Sequence, residues 1–137
     1  MFARFIMLAG IIFFSASALA QSTNEVWQHH IDSWGQRDVE ALTGDYTENS
    51  ILIINGEKFR GTSAIKNAFL QLFGIFDHGA QRIDPVVIDG RIVYITWHFT
   101  PTAKAEFFGT DTFVVEQGKI MIQTIASPLY DVFPVKP

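Results

Sequence analysis

Apolar positions set the first element. Val26, Trp27, Ile31 and Trp34, with His30 among them, recur at helical spacing and predict an amphipathic helix, with Asn24 as N-cap and Gly35 as its stop. Asp38 should cap a shorter helix carrying Val39, Leu42 and Tyr46. Ser50 to Ile54 is a β-branched run. Asn55-Gly56, a pair that readily takes the positive φ angles of a tight hairpin, follows it, and Glu57 to Arg60 forms the return strand. Thr62 is the expected cap of a third helix, whose Ile65, Ala68, Phe69, Leu72, Phe73 and Phe76 make a wide apolar stripe.

After Gly79 the period changes from 3.6 to 2. Val86 to Ile88, Asp89-Gly90 and Arg91 to Thr100 read as strand, tight turn and long strand; Glu106 to Glu116, Gln117-Gly118 and Lys119 to Ala126 repeat the arrangement. One face of the Arg91 to Thr100 strand holds Val93, Ile95, Trp97 and Phe99, and the other holds Ile92, Tyr94, Thr96 and His98. Both faces are rather apolar, whereas a small antiparallel sheet normally keeps one face wet. Helices should therefore cover one side and a partner subunit the other. The expected fold class is α+β, a curved antiparallel sheet wrapped around about three N-terminal helices.

The N-terminal segment belongs to a different category. Arg4 gives a short positive start, Phe5 to Phe14 is an unbroken apolar run, and Ala18-Leu19-Ala20 fits a small-residue cleavage site. The run is too short for a bilayer, which takes about 20 apolar residues. Residues 1–20 are therefore expected to be a cleaved secretory signal, leaving a single domain over 21–137, periplasmic or secreted, with no membrane attachment after cleavage. Removing them takes away one arginine and no acid, so the remainder is more acidic than the whole chain's formal charge of −4. Without a basic stripe, nucleic acid is not an expected partner. With no cysteine there is neither a thiol nucleophile nor a disulfide framework.

Candidate chemistry comes from polar residues on apolar faces. Asp111 shares its face with Phe107, Gly109, Phe113 and Val115, where a carboxylate is costly unless it is protonated, paired or functional. A structural carboxylate bonded to Thr110 or Thr112 is the plainer alternative. His30 lies on the apolar face of the first helix, either as a proton-transfer group or as a core histidine held by one hydrogen bond. Gln123 breaks the apolar tone of the last strand beside Met121 and Ile125, and either orients a ligand or bonds a neighbouring strand. Trp34, Tyr46 and Trp97 have an apolar body and a polar tip, which suits both a pocket mouth and ordinary core. His29 and His30 are adjacent and diverge by about 100° on a helix. No HExxH pattern and no histidine pair at ligand spacing occurs, so neither a metal nor a cofactor is expected.

This order of segments resembles the nuclear transport factor 2-like superfamily, specifically its SnoaL-like bacterial members. The likeness is carried by His29-His30 through Trp34, Arg37 to Leu42, Asp45 to Ser50, Arg60-Gly61-Thr62 to Ile65, Gly109 to Phe113 and Gly118 to Gln123. The resemblance implies a cone whose mouth holds a small apolar or amphipathic ligand, and a homodimer packed through the outer sheet face. In the steroid-isomerase branch, the position of Asp111 is an acid that stays protonated and donates to an oxyanion, and the position of His30 carries the tyrosine sharing that site. The resemblance therefore implies that His30 and Asp111 meet inside the cone as a catalytic pair. Ile54 stands where those isomerases place their carboxylate base, which sets their mechanism aside; Ile54 remains a candidate lining residue with Trp34, Tyr46, Trp97 and Gln123. Dehydratases of the superfamily use histidine with aspartate.

Three functions fit: cofactor-free acid–base catalysis of the isomerase, cyclase or dehydratase type by His30 and Asp111; a non-catalytic carrier of a small ligand; and a dimeric interaction module whose cone is filled.

Overall fold

A computed structural model of the chain describes residues 21–76, 78–102 and 106–128. The signal segment expected over 1–20 and most of the proline-bearing tail after Ala126 lie outside them. Three helices, α1 (Thr23–Gln36), α2 (Val39–Gly44) and α3 (Gly61–Ile75), accompany six strands: β1 (Ile51–Ile54), β2 (Glu57–Arg60), β3 (Gly79–Asp89), β4 (Ile92–Pro101), β5 (Phe107–Glu116) and β6 (Lys119–Ala126). The strands form one curved sheet in the order β2-β1-β6-β5-β4-β3. All its ladders are antiparallel except β1–β6, which is parallel. The sheet is thus mixed where the sequence pattern implied antiparallel pairing throughout. The difference arises because the β1–β2 hairpin docks beside the last strand, with α3 and three strands intervening in the chain.

Helix ends differ from expectation for identifiable reasons. The start of α1 is set by Ser22: its Oγ accepts the Glu25 N–H at 3.3 Å, while its own N–H donates to the Glu25 carboxylate at 2.7 Å. This reciprocal box overrides Asn24. The helix runs past Gly35 and stops at Arg37, which takes the left-handed conformation at φ 57° and returns its N–H to the carbonyls of Ser33 and Trp34. The Arg37 guanidinium also donates to the carbonyls of Phe73 and Phe76, tying the end of α1 to the end of α3. Asp38 caps α2 as expected, accepting from the Ala41 N–H at 3.0 Å. Thr62 does not cap α3. The helix begins one residue earlier, at Gly61, whose φ of 81° and tight contact with Glu48 suit glycine alone, and the Thr62 hydroxyl donates to Glu48 instead.

Strand parity follows the sequence. Val93, Ile95, Trp97 and Phe99 face the helices, as do Asp111, Phe113 and Val115 of β5. A register shift between Val114 and Val115 places Ile120, rather than Met121, in the core, while Gln123 and Ile125 point inward as expected. β3 starts seven residues before Val86. Its pairing with β4 is interrupted between Ile83 and Val86, around Asp84-Pro85, because proline offers no N–H to a ladder and sits in sheets only at edges or irregularities. Ile92, Tyr94, Val87, Phe108 and Ile122 are exposed on or near the outer face.

Gly109 admits a close approach in the sheet. A Cβ there would lie 2.7 Å from Trp97 Cε2 and 2.8 Å from the Ala126 carbonyl oxygen, so the Trp97 indole lies over bare backbone on β5. Gly109→Ala should push Trp97 out of place and lower unfolding free energy by about 1–3 kcal/mol. Urea denaturation measures this, and an unchanged midpoint would contradict the packing described.

Candidate functional site

A cavity lies between α1, α3 and the concave sheet face. From the helices, Trp27, His30, Ile31, Trp34, Phe69, Leu72 and Phe76 line it; from the sheet, Gln81, Ile83, Ile95, Trp97, Asp111, Phe113, Gln123 and Ile125 do so. Its volume is about 40 Å³, space for about three waters at about 10–15 Å³ each, and well below the roughly 150 Å³ of a cavity that holds benzene. Trp34 Nε1 donates to Gln81 Oε1 at 2.7 Å, joining α1 to β3 across the exposed side of the cavity. The sequence pattern missed Gln81 because it precedes Pro85, where β3 was not expected.

Four of the polar side chains belong to one chain of hydrogen bonds. The Trp97 indole N–H donates to Asp111 Oδ1 at 2.7 Å, and Gln123 Nε2 donates to Asp111 Oδ2 at 2.8 Å. The Tyr46 hydroxyl donates to Gln123 Oε1. In the ladders, Trp97 pairs with Gly109 and Gln123 with Phe113, so each reaches Asp111 diagonally, from the strand on either side of β5. Asp111 is 7% exposed, and burial raises its pKa from 3.8 to about 6, against the pull of the Trp97 and Gln123 hydrogen bonds. Burial, with the nearby charges of Asp45 and Asp111, holds the Tyr46 hydroxyl well above its ordinary range, so it remains a donor.

His30 has a different partner from the one the resemblance implied. Its Nδ1 lies 3.6 Å from Asp45 Oδ2, and both oxygens of Asp111 are occupied by Trp97 and Gln123. His30 and Asp111 line one cavity, but the carboxylate beside the imidazole is Asp45. Burial is the main cause that pulls the His30 pKa below 6.5, partly offset by Asp45, so the ring is neutral at pH 7. Phe113, at 5.1 Å between ring centroids, and Tyr46, at 5.9 Å, present their rings edgewise to it.

The remaining candidates divide. Trp34, Trp97 and Gln123 line the cavity; Tyr46 and Ile54 do not. Tyr46 stands behind Gln123, to which its hydroxyl donates. Ile54 is 2% exposed in the core, paired with Ile125 on the parallel ladder. Asp45 and His29 were passed over. The signal available was a carboxylate directly after a short helix and next to an inward tyrosine.

The two buried groups give stability opposite pH slopes. Folding raises the Asp111 pKa from 3.8 to about 6, so its contribution is full below pH 3.8 and is lost as pH rises through 6, about 3 kcal/mol in all. Folding depresses the His30 pKa, so its contribution is present above pH 6.5 and lost as pH falls through the native value. Urea unfolding between pH 4 and 7.5 should show Asp111→Asn gaining stability with pH more steeply than the unaltered protein. His30→Gln should instead lose stability with rising pH. Parallel curves for all three proteins would contradict these burial effects.

Comparison with known proteins fits this architecture. A designed protein with a curved β-sheet superposes with a TM-score of 0.70 at 17% identity, covering 80% of this chain and 89% of that one. A candidate SnoaL-like polyketide cyclase from Jannaschia sp. CCS1 gives 0.69 at 15% identity, covering 90% and 99%. An NTF2-like protein of unknown function from Cytophaga hutchinsonii gives 0.65 at 12% identity, covering 82% and 95%. No curated protein sequence matches the chain. At these identities the structures speak to fold alone. The SnoaL-like domain family matches residues 27–122, from the first turns of α1 into β6, and the chain belongs to that family.

Proposed function

We propose that this protein takes a small, neutral, amphipathic molecule into the cone and transfers a proton on it, using side chains alone. One observation carries the reading: a neutral histidine and a carboxyl group with a pKa of about 6 line the same aromatic cavity, each held by separate partners. General acid–base catalysis works best with groups whose proton affinities lie near the working pH, and burial moves both of these groups toward it or leaves them close to it. His30 is the base or acid, and Asp111, in its protonated form, the group that donates to charge developing on a ligand oxygen. Gln123, fixed at both ends by Tyr46 and Asp111, can spend its remaining donor on a ligand carbonyl or hydroxyl. Isomerisation, ring closure and dehydration all need such a step.

A cavity of about 40 Å³ admits only a few heavy atoms, so a larger ligand requires the Trp34–Gln81 hydrogen bond to open. A non-catalytic carrier would use the same door. The outer face supplies the assembly part of the proposal. Ile92, Val114 and Ile122 adjoin across three strands, next to a row of Val87, Tyr94 and Thr112, and in our reading a second copy of the chain covers them. Export to the periplasm or medium after cleavage behind Ala20 completes it.

The test is native mass spectrometry of the protein purified from its host, followed by denaturing release of what it holds. A dimer carrying a discrete small molecule, converted by the unaltered protein and about 10²–10⁴-fold more slowly by His30→Gln, is the expected result. A molecule retained but never converted would establish the carrier instead. Ile122→Lys should shift the dimer to monomer in light scattering without loss of helix content; an unaltered dimer would place the interface elsewhere.

A further inference from the structure

Adjacent residues on a helix diverge by about 100°, yet His29 and His30 both turn Nδ1 toward a single carboxyl group. Asp45 Oδ1 lies 2.7 Å from His29 Nδ1, and Asp45 Oδ2 lies 3.6 Å from His30 Nδ1. The three side chains run from outside to inside: His29 is 47% exposed, Asp45 6% and His30 5%. Asp45 is held in place by its backbone, since it forms the C-cap of α2 and its carbonyl accepts the Ile120 N–H of β6 at 2.8 Å. At that distance His30 Nδ1 and Asp45 Oδ2 are not hydrogen-bonded, and neither atom has a hydrogen-bond partner elsewhere. Two buried polar atoms facing each other without alternatives form a contact that closes when the ring gains a proton. Among the described residues no group of three or more histidine, aspartate or glutamate side chains is arranged to hold a metal ion.

We infer that Asp45 is the positioning residue that makes His30 a base toward the cavity, and that His29, holding the other carboxyl oxygen from the solvent side, tunes it. The inference rests on the proton-transfer reading above and deepens it. With Nδ1–H directed at Asp45, the lone pair of His30 is on Nε2, on the other side of the ring. Nε2 takes a proton from a ligand C–H or O–H bond. The N–H bond forms as that bond breaks and its electron pair stays on the ligand; the proton then returns to the ligand at another atom, or goes to a hydroxyl that the electron pair expels and that leaves as water. The imidazolium so formed lies against Asp45, and the 3.6 Å gap shortens to an ion pair. The ligand class follows from the walls: a neutral weak acid with an apolar body, because the mostly aromatic and aliphatic lining would leave a bound anion without its water.

The titratable groups around His30 are Asp45 after α2, His29 on α1, Tyr46 beside Asp45 and Asp111 on β5, while α3 contributes the Phe69 ring. Asp45 favours the protonated ring and His29 disfavours it. Two substitutions that each break the same cluster should therefore move His30 in opposite directions, which loss of packing alone does not do. Nitrogen-15 NMR of the histidine-labelled protein, without ligand, reads both tautomer and titration midpoint. The expected result is His30 protonated on Nδ1 and bare on Nε2 above its midpoint. The midpoint should fall in Asp45→Asn and rise in His29→Gln. A ring protonated on Nε2, or a midpoint unmoved in His29→Gln, would overturn the inference. If Asp45→Asn fails to fold, the tautomer of the unaltered protein and the His29→Gln shift still decide. The measurement needs no ligand, so it holds or fails separately from the proton-transfer reading, whose own failure shows as a ligand never converted.

Discussion

A carboxyl group buried in an aromatic cone is costly, and the arrangement around Asp111 answers that cost. Its two oxygens accept from Trp97 on one neighbouring strand and Gln123 on the other, and Tyr46 fixes Gln123 in the orientation that donates. The chain crosses β4, β5 and β6 and ends beyond α2, so one polar thread registers three strands and the helical layer. It also explains Gly109, whose missing side chain lets the Trp97 indole lie across β5. Fully partnered networks of this kind specify a single packing, and a half-satisfied one would be worse than an apolar core.

The same burial that endangers the fold creates its chemistry. Desolvation raises the Asp111 carboxyl and lowers the His30 imidazole, moving both toward neutrality in one cavity. Each has a partner of its own, Asp111 through neutral donors and His30 beside Asp45. The site is two separately supported groups facing one space rather than a single hydrogen-bonded pair.

Much of this was legible in the chain. Periodicity located α1, α2, the β1–β2 hairpin, α3 and the long strands, because amphipathic stripes and the Asn55-Gly56 turn are local signals. Asp111, His30 and Gln123 stood out because each is polar on an apolar face, and the structure puts all three on the cavity. What the pattern could not show were pairings between distant segments. The parallel ladder of β1 with β6 joins residues about seventy apart, and Asp45 reaches His30 only because α2 folds back against α1. The start of β3 was hidden by Pro85, which reads as a strand breaker but sits at an edge-strand irregularity. Tyr46 and Ile54, taken for lining residues, are core positions, since an aromatic or aliphatic side chain carries no mark of which buried space it fills.

The most direct test of the central claim is a crystal structure of the protein carrying the molecule it retains on purification. The account predicts that molecule inside the cone, with a polar atom about 2.6–3.2 Å from His30 Nε2 and the Asp111 carboxyl along the same wall. A molecule seated on the outer sheet face, with the cone closed by its own side chains, would contradict it.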